Sequence, residues 1–195
     1  MSHLLALDPG NERTAFVVYN TTTRTPDDFG LLPNHDTLDV VNTHRHLPLA
    51  IEMVASYGMP VGATIFQTCV WVGRFVERHN NRHRFVYRRD VKLHLCNSAR
   101  AKDANVMQAL IDRYGGTRRA AVGVKAAPGP LYGFKADLWA ALGVAVTAAE
   151  TEGAISEAAG LRKVTQPVVS GCGTGSVRRR GAGVSVDMAG VDRNG

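Results

Sequence analysis

The chain has 195 residues, an apolar fraction of 45% and a formal net charge of +6. This length suits one domain with a substantial core, and this composition excludes a wholly disordered chain. The excess of Lys and Arg favours a polyanionic partner, either nucleic acid or an acidic membrane surface.

The three cysteines, Cys69, Cys96 and Cys172, are widely spaced and include no C-x-x-C pair. This pattern argues against a disulfide framework and a zinc site, and it favours a reducing compartment. The short N-terminal apolar run is unlike a signal peptide, and the longest apolar stretch is well below the roughly 20 residues of a membrane span. We therefore expect a cytoplasmic protein with no membrane partner.

The N-terminal region is predicted to begin with a β-hairpin. Residues 3–8 and 14–20 are rich in Leu, Val, Phe and Tyr, and Asp-Pro-Gly separates them. The polar residues 26–34, which include two prolines, predict a loose connection. A third strand is expected at residues 37–43.

The middle of the chain alternates between strand and helix patterns. The nearly continuous apolar run 49–55 predicts a strand buried on both faces, although it contains Glu52. Apolar residues at helical spacing predict a helix over 64–79, and a short strand is expected at 84–88. Residues 90–96 fit a helix or a strand equally well.

The C-terminal part contains two predicted helices and a tail. The first helix covers 103–114 and ends at Gly115-Gly116, and a basic Gly/Pro-containing loop follows at 117–133. The second helix covers 135–150. Residues 161–195 are rich in Gly, Ser and Arg, which predicts a flexible basic tail.

Strands precede helices in this order, with strand–helix alternation between them. The pattern predicts an α/β layered domain over residues 1–160, with helices packed on a mixed sheet. Carboxylates on different elements of such a sheet can converge at one edge.

Three carboxylates are candidates for that edge: Asp8, Glu52 and Asp137. Asp8 also suits the start of a turn, and Asp137 also suits the first turn of a helix because of the helix dipole. Glu52 lies inside an apolar strand, where an ionised carboxylate requires an arginine or a metal ion for compensation. Together, in a basic protein, the three fit a site for a hard cation such as Mg²⁺, and two such ions can assist phosphodiester cleavage.

Five stretches resemble the RuvC-like Holliday-junction resolvases of the ribonuclease-H-like superfamily, especially the phage and prophage branch. They are LLALDPGNERTAFVVY, LAIEMVASYGMPVG, TCVWVGRF, VKLHLCNSARAKDANVMQALIDRYG and PGPLYGFKADLWAALGVAVTA. Together they span about residues 4–149. The resemblance implies a mixed sheet of about five strands flanked by helices, Mg²⁺ or Mn²⁺ as cofactor, and cleavage of four-way DNA junctions by a homodimer.

The resemblance assigns the metal-binding carboxylates by position to Asp8, Glu52 and Asp137. The bacterial enzymes carry a further aspartate three positions after the last of these, where this chain has Ala140. Asp103 is a candidate for the missing ligand, and otherwise the N-cap of its helix. Lys135 is expected either to hold the scissile phosphate or to be solvated.

A group of basic residues flanks the predicted site and suits contacts to the DNA backbone. It consists of Arg100, Lys102, Arg118, Arg119 and Lys125. Tyr57 follows the Glu52 strand and is a candidate to enter a junction, although an aromatic residue there also suits ordinary packing.

The sequence therefore predicts a metal-dependent endonuclease that acts on branched DNA. The absence of a carboxylate at Ala140 leaves a second hypothesis open, a noncatalytic DNA-binding protein on the same fold. The Asp-x-Gly after a strand is also found in actin-like ATPases, but 195 residues are too few for their two-lobed fold.

Overall fold

The computed structural model describes residues 2–56, 58, 60–80 and 83–159. The predicted tail, residues 161–195, lies outside these described residues. The strands are β1 (His3–Pro9), β2 (Arg13–Asn20), β3 (Thr25–Pro33), β4 (Leu49–Met53), β5 (His83–Tyr87), β6 (Gly123–Val124) and β7 (Ala127–Pro128). The helices are α1 (Asn34–Thr43), α2 (Ala63–Arg78), α3 (Arg88–Cys96), α4 (Asp103–Arg113), α5 (Arg118–Ala121) and α6 (Leu138–Ala159).

A mixed sheet of five strands forms the centre of the fold, in the order β3-β2-β1-β4-β5. β1 pairs antiparallel with β2, and β2 pairs antiparallel with β3. β4 is parallel to β1, and β5 is parallel to β4. The predicted hairpin and the predicted mixed sheet are both confirmed.

Helices cover both faces of the sheet. Alternate residues of β1 point to opposite faces: Leu4 and Ala6 pack in the core formed with α3, α4 and α6, whereas Leu5 and Leu7 pack in the core formed with α1 and α2. The predicted α/β layered architecture is therefore confirmed, and burial of β1 on both faces explains its continuous apolar run.

The third strand is not where the sequence pattern places it. Residues 37–43 belong to α1, and the polar segment expected to be a loose connection forms β3 instead. β3 is an edge strand, a place where proline is tolerated because one side of the strand makes no ladder hydrogen bonds. In α1 the buried residues Asn34, Thr37 and Val41 recur at helical spacing.

Three other predictions need adjustment. The ambiguous residues 90–96 are helical and belong to α3, and the loop predicted at 117–133 contains α5 and the β6–β7 hairpin. The last helix begins at Leu138 rather than at residue 135, because the backbone of Ala136 has a φ of 38° and cannot continue a helix. Among the described residues, no helix combines the length and apolar character needed to cross a bilayer.

Candidate active site

The carboxyl ends of β1, β4 and β5 meet at one edge of the sheet because these strands run parallel. Leu7 is in register with Ile51, and Asp8 and Glu52 are the next residues of the two strands. Glu52 is in turn in register with Val86 of β5. This edge of a parallel arrangement is the usual place for a ligand site in an open α/β sheet.

Asp8 and Glu52 also lie on the same face of the sheet. Their strand neighbours at two residues' distance, Ala6 and Ala50, both pack in the core beneath α6. Because side chains alternate along a strand, the two carboxylates follow these alanines onto that face. The sequence prediction that these two acids converge is consistent with this register.

Burial opposes ionisation of both carboxyl groups, and the charge of Glu52 further opposes ionisation of Asp8. The pKa of Asp8 is raised well above its usual value, first by burial and then by the charge of Glu52. Burial likewise raises the pKa of Glu52 to about 7, although the nearby Arg88 guanidinium acts in the opposite direction. The negative charge at this edge is therefore only partly compensated by the protein itself.

Arg88 is the nearest compensating cation, and it follows directly after β5. Its Nη1 lies 3.8 Å from Glu52 Oε2, and its Nη2 lies 2.8 Å from Asp103 Oδ1. Lys92 Nζ lies 3.5 Å from the same Asp103 oxygen. Within the described part of the chain, Arg88 Nη1 and Glu52 Oε2 are both buried and make no hydrogen bond.

Asp137 lies at the start of α6, where its backbone carbonyl accepts hydrogen bonds from the amides of Ala140 and Ala141 at 3.0 and 3.1 Å. It is therefore the residue that precedes the first turn, not a member of it. Its side chain is exposed, yet its charge contributes to the raised pKa of Asp8. The charges of Glu52 and Asp137 therefore both act on Asp8.

A groove of about 650 Å³ opens between α4 and the start of α6; Asp137 lines it, whereas Asp8 and Glu52 do not. Arg88, Arg118 and Lys135 supply positive charge to its lining, while Asp103 and Asp137 supply negative charge. Ala140, the position without the expected aspartate, lines the same groove. The groove combines acidic and basic groups, as a site for a phosphate backbone and cations requires.

Most of the other predicted DNA-binding residues lie on the surface outside this groove. Arg100, Lys102, Arg119 and Lys125 are exposed, and none of them lines this groove. Tyr57 lies outside the described residues.

Asp103 does not cap its helix. Lys102 is the capping residue of α4, and its amide donates to the Asn105 side chain at 2.9 Å. Asp103 begins the helix and is held by Arg88 and Lys92, and these cations lower its pKa. Its predicted alternative role as the N-cap is therefore wrong, and its role as a metal ligand stays a prediction.

The sequence patterns did not identify Arg88, Lys92 or Asn34. Asn34 is 1% exposed, accepts a hydrogen bond from the Thr14 hydroxyl at 2.6 Å and donates to the Gly10 carbonyl at 3.0 Å. It thereby holds the turn that follows Asp8. The available signal was a polar residue directly after a proline, which by itself does not indicate a contact across 24 residues.

The side chains at this edge fit a hard divalent cation only in part. Carboxylate oxygens are the ligands that Mg²⁺ prefers, and Glu52 Oε2 is buried without a hydrogen bond from the described residues. However, no group of three or more His, Cys, Asp or Glu side chains in the described ranges has an arrangement that holds a metal ion. Arg88 Nη1 lies 3.8 Å from this Glu52 oxygen, and the Asp137 side chain is exposed.

Comparison with known proteins identifies the fold. No family model matches the chain, and no curated protein matches it. A solved structure of Thermus thermophilus RuvC in complex with a Holliday junction substrate matches with a TM-score of 0.53 at 15% identity, covering 79% of this chain and 97% of that one. A second T. thermophilus RuvC structure has a TM-score of 0.49 at 14% identity and covers 78% and 96%. The chain has a RuvC-like, ribonuclease-H-like fold.

Proposed function

We propose that this protein is a metal-dependent endonuclease that cleaves phosphodiester bonds in branched DNA, with four-way junctions as the substrate class. The observation that carries the proposal is the pairing of Asp8 and Glu52 on one face of the sheet, one residue beyond the register of Leu7 with Ile51. The fold shared with RuvC supports a DNA junction as substrate, and the net charge of +6 supports a polyanionic partner.

Asp8, Glu52 and Asp137 would hold Mg²⁺ or Mn²⁺, as two ions, with Asp103 as a further candidate. When bound, such ions supply Lewis acidity at the phosphate and activate water at neutral pH. Asp8 and Glu52 are positioned by rigid strands, which fixes their separation. Asp137 is positioned by the start of α6.

The basic side chains of the groove would hold the substrate. Lys135 and Arg118 line it together with Asp137, so a phosphate placed there lies between positive charge and the carboxylates. Arg100, Lys102, Arg119 and Lys125 would extend the contact along the backbone, and Tyr57 would contact the branch point. Phosphate contacts of this kind supply affinity without sequence specificity.

The protein would act as a homodimer in recombination or repair in the cytoplasm, in the phage or prophage branch of the resolvases. A symmetric four-way junction has two equivalent strands to cut, which suits two copies of one site. On α2, Phe66 and Val70 are 61% and 63% exposed and lie one helical turn apart. Such apolar exposure on one helix supports a protein interface.

Cleavage of a fluorescent four-way junction in Mg²⁺ or Mn²⁺ tests this function. Wild type should nick the junction only with the divalent ion, and Asp8→Asn should bind the junction but not cut it. Asp39→Asn is the matched control, because Asp39 is exposed on α1 on the opposite face of the sheet. Normal cleavage by Asp8→Asn would exclude the proposed mechanism.

A noncatalytic DNA-binding protein on the same fold is the second candidate. Ala140 in place of an aspartate and the approach of Arg88 to Glu52 favour it. Junction binding by wild type with no nicking in either metal would support this function instead.

A further inference from the structure

Arg88 joins the candidate active site to the rim of the groove. Its Nη2 is bound to the largely exposed Asp103, while its Nη1 points toward the buried Glu52. Arg88 also lines both the groove beside Asp137 and a second, largely apolar one of about 370 Å³ beside Glu52. One guanidinium therefore interacts with two carboxylates of very different exposure.

The two terminal nitrogens of this guanidinium contact their carboxylates at different distances. The contact to Asp103, at 2.8 Å, has hydrogen-bond length, and Lys92 gives Asp103 a second cation. The contact to Glu52, at 3.8 Å, is within ion-pair distance but too long for a hydrogen bond. A buried ion pair without hydrogen bonds recovers little of its desolvation cost, so the position of Arg88 near Glu52 is only weakly held.

Asp103 is therefore the stronger of the two partners and keeps the guanidinium from closing on Glu52. Only 14% of the Glu52 side chain is exposed, compared with 73% for Asp103. If the Asp103 contact were lost, the nearest remaining carboxylate for Arg88 would be Glu52. Conversely, a cation bound at Glu52 would repel Arg88 toward Asp103.

We propose that Arg88 is a built-in counter-ion that competes with the divalent cation for Glu52, and that Asp103 weakens this competition by holding Arg88 at the rim. The proposal rests on the proposed function, since it assumes a cation site at Asp8 and Glu52. Arg88 is a positioning residue in this account. It sets the affinity of the site for metal without contacting the reacting atoms.

The two residues of this one ion pair should have opposite effects on metal affinity. Arg88→Gln removes the competing charge and should raise the affinity for Mn²⁺ by about fivefold, the scale of a partly solvated charge pair. Asp103→Asn releases Arg88 onto Glu52 and should lower the affinity by a similar factor. A purely structural role would lower the affinity for both variants.

Titration calorimetry with Mn²⁺ alone, in the absence of DNA, measures these affinities. Arg89→Gln is the matched control, because Arg89 is the exposed neighbour of Arg88 and does not line either groove. Circular dichroism must show that each variant is folded. Should Arg88→Gln fail to fold, Arg88→Lys and Asp103→Glu, which keep the charges, should both stay within twofold of wild type while Asp103→Asn does not.

The double variant separates this proposal from a direct ligand role for Asp103. In the Arg88→Gln background, Asp103→Asn should have little further effect, because there is no guanidinium left to release. An equal loss of affinity in both backgrounds would make Asp103 a metal ligand and overturn the proposal. Unchanged or lower affinity in a folded Arg88→Gln variant would also overturn it.

Failure of the proposed function gives a different result. If neither wild type nor any variant binds Mn²⁺, the metal site itself is absent, and the competition falls with it. If all of them bind Mn²⁺ with equal affinity, the metal site stands and only the role of Arg88 is wrong.

Discussion

Asp8 and Glu52 stand side by side at the ends of two parallel strands, each one residue beyond the register of Leu7 with Ile51. Arg88 lies within ion-pair distance of Glu52 but is bound more closely by Asp103, so its charge compensates Asp8 and Glu52 only in part. Two partly buried acids in this arrangement destabilise the fold unless a proton or a cation compensates them. Their placement is therefore costly for stability and useful for binding a cation.

The pH dependence of stability should report the burial of Glu52. Its pKa is raised from 4.5 to about 7 in the folded protein, so the folded state keeps a proton that the unfolded state releases. The resulting stability is fully present below about pH 4.5 and is lost as the pH rises through about 7, by on the order of 3 kcal/mol. Glu52→Gln should remove this loss.

Urea unfolding in EDTA between pH 4.5 and 8 measures this difference. Relative to wild type, Glu52→Gln should gain stability steadily as the pH rises, whereas Glu77→Gln on the exposed side of α2 should not. The comparison isolates Glu52 from Asp103, whose lowered pKa gives a contribution of opposite sign that is lost on acidification. Parallel pH profiles for wild type and Glu52→Gln would show that Glu52 is not buried as described.

Asn34 should be needed for both stability and site geometry. Asn34→Ala leaves the Thr14 hydroxyl and the Gly10 carbonyl without this hydrogen-bond partner in a buried region, a loss of about 2 kcal/mol. The turn after Asp8 should also loosen, so metal-dependent cleavage should fall more than the loss of folded protein explains. Chemical denaturation and cleavage assays measure these two losses. The control is Asn42→Ala, at an exposed position on the same helix. An Asn34→Ala variant whose stability is within about 0.5 kcal/mol of wild type would contradict this role of Asn34.

Arg118 should contribute one phosphate contact through the groove that it lines with Lys135 and Asp137. Arg118→Ala should weaken junction binding and reduce the slope of log K against log salt by about 1. Fluorescence anisotropy from 50 to 200 mM salt measures this slope. Arg45→Ala is the control because Arg45 precedes β4 and lies at the opposite edge of the sheet; equal slopes for both variants would exclude the groove as the DNA path.

Val70 should belong to the proposed dimer interface. Val70→Glu places a charge on the apolar patch of α2 and should shift the protein toward monomer in sedimentation velocity, with little loss of stability because Val70 is 63% exposed. Val124→Glu is a matched control, since Val124 is 61% exposed on the β6–β7 hairpin. A Val70→Glu variant that sediments like wild type would place the interface elsewhere or show that none exists.

The sequence predicts those elements whose local pattern and tertiary packing agree. The β1–β2 hairpin, α2 and α4 all combine clear periodicity with turn residues at their ends. Residues 37–43 fail because Val40 and Val41 favour a strand locally, whereas burial of Thr37 and Val41 on one face requires a helix. β3 is missed because Pro26 and Pro33 conceal an edge strand, although its pairing partner β2 directly precedes it in the chain.

The sequence singles out Asp8 and Glu52 at this edge of the sheet, but it gives no sign of Arg88 or Lys92. Asp8 and Glu52 interrupt apolar strands, and this local contradiction is visible without coordinates. Arg88 has no such signal, since an arginine after a strand is ordinary, and its contact with Asp103 depends on how α3 packs beside α4. A counter-ion that is positioned by the packing of two helices therefore cannot be identified without coordinates.

A crystal structure of the protein grown with Mn²⁺, with anomalous data collected near the manganese edge, would show whether Asp8 and Glu52 hold a metal ion. We expect an anomalous peak coordinated by the carboxylates of Asp8 and Glu52, with Asp137 adjacent and Arg88 bound to Asp103. Absence of a peak at this edge of the sheet, with Arg88 bound directly to Glu52, would contradict it.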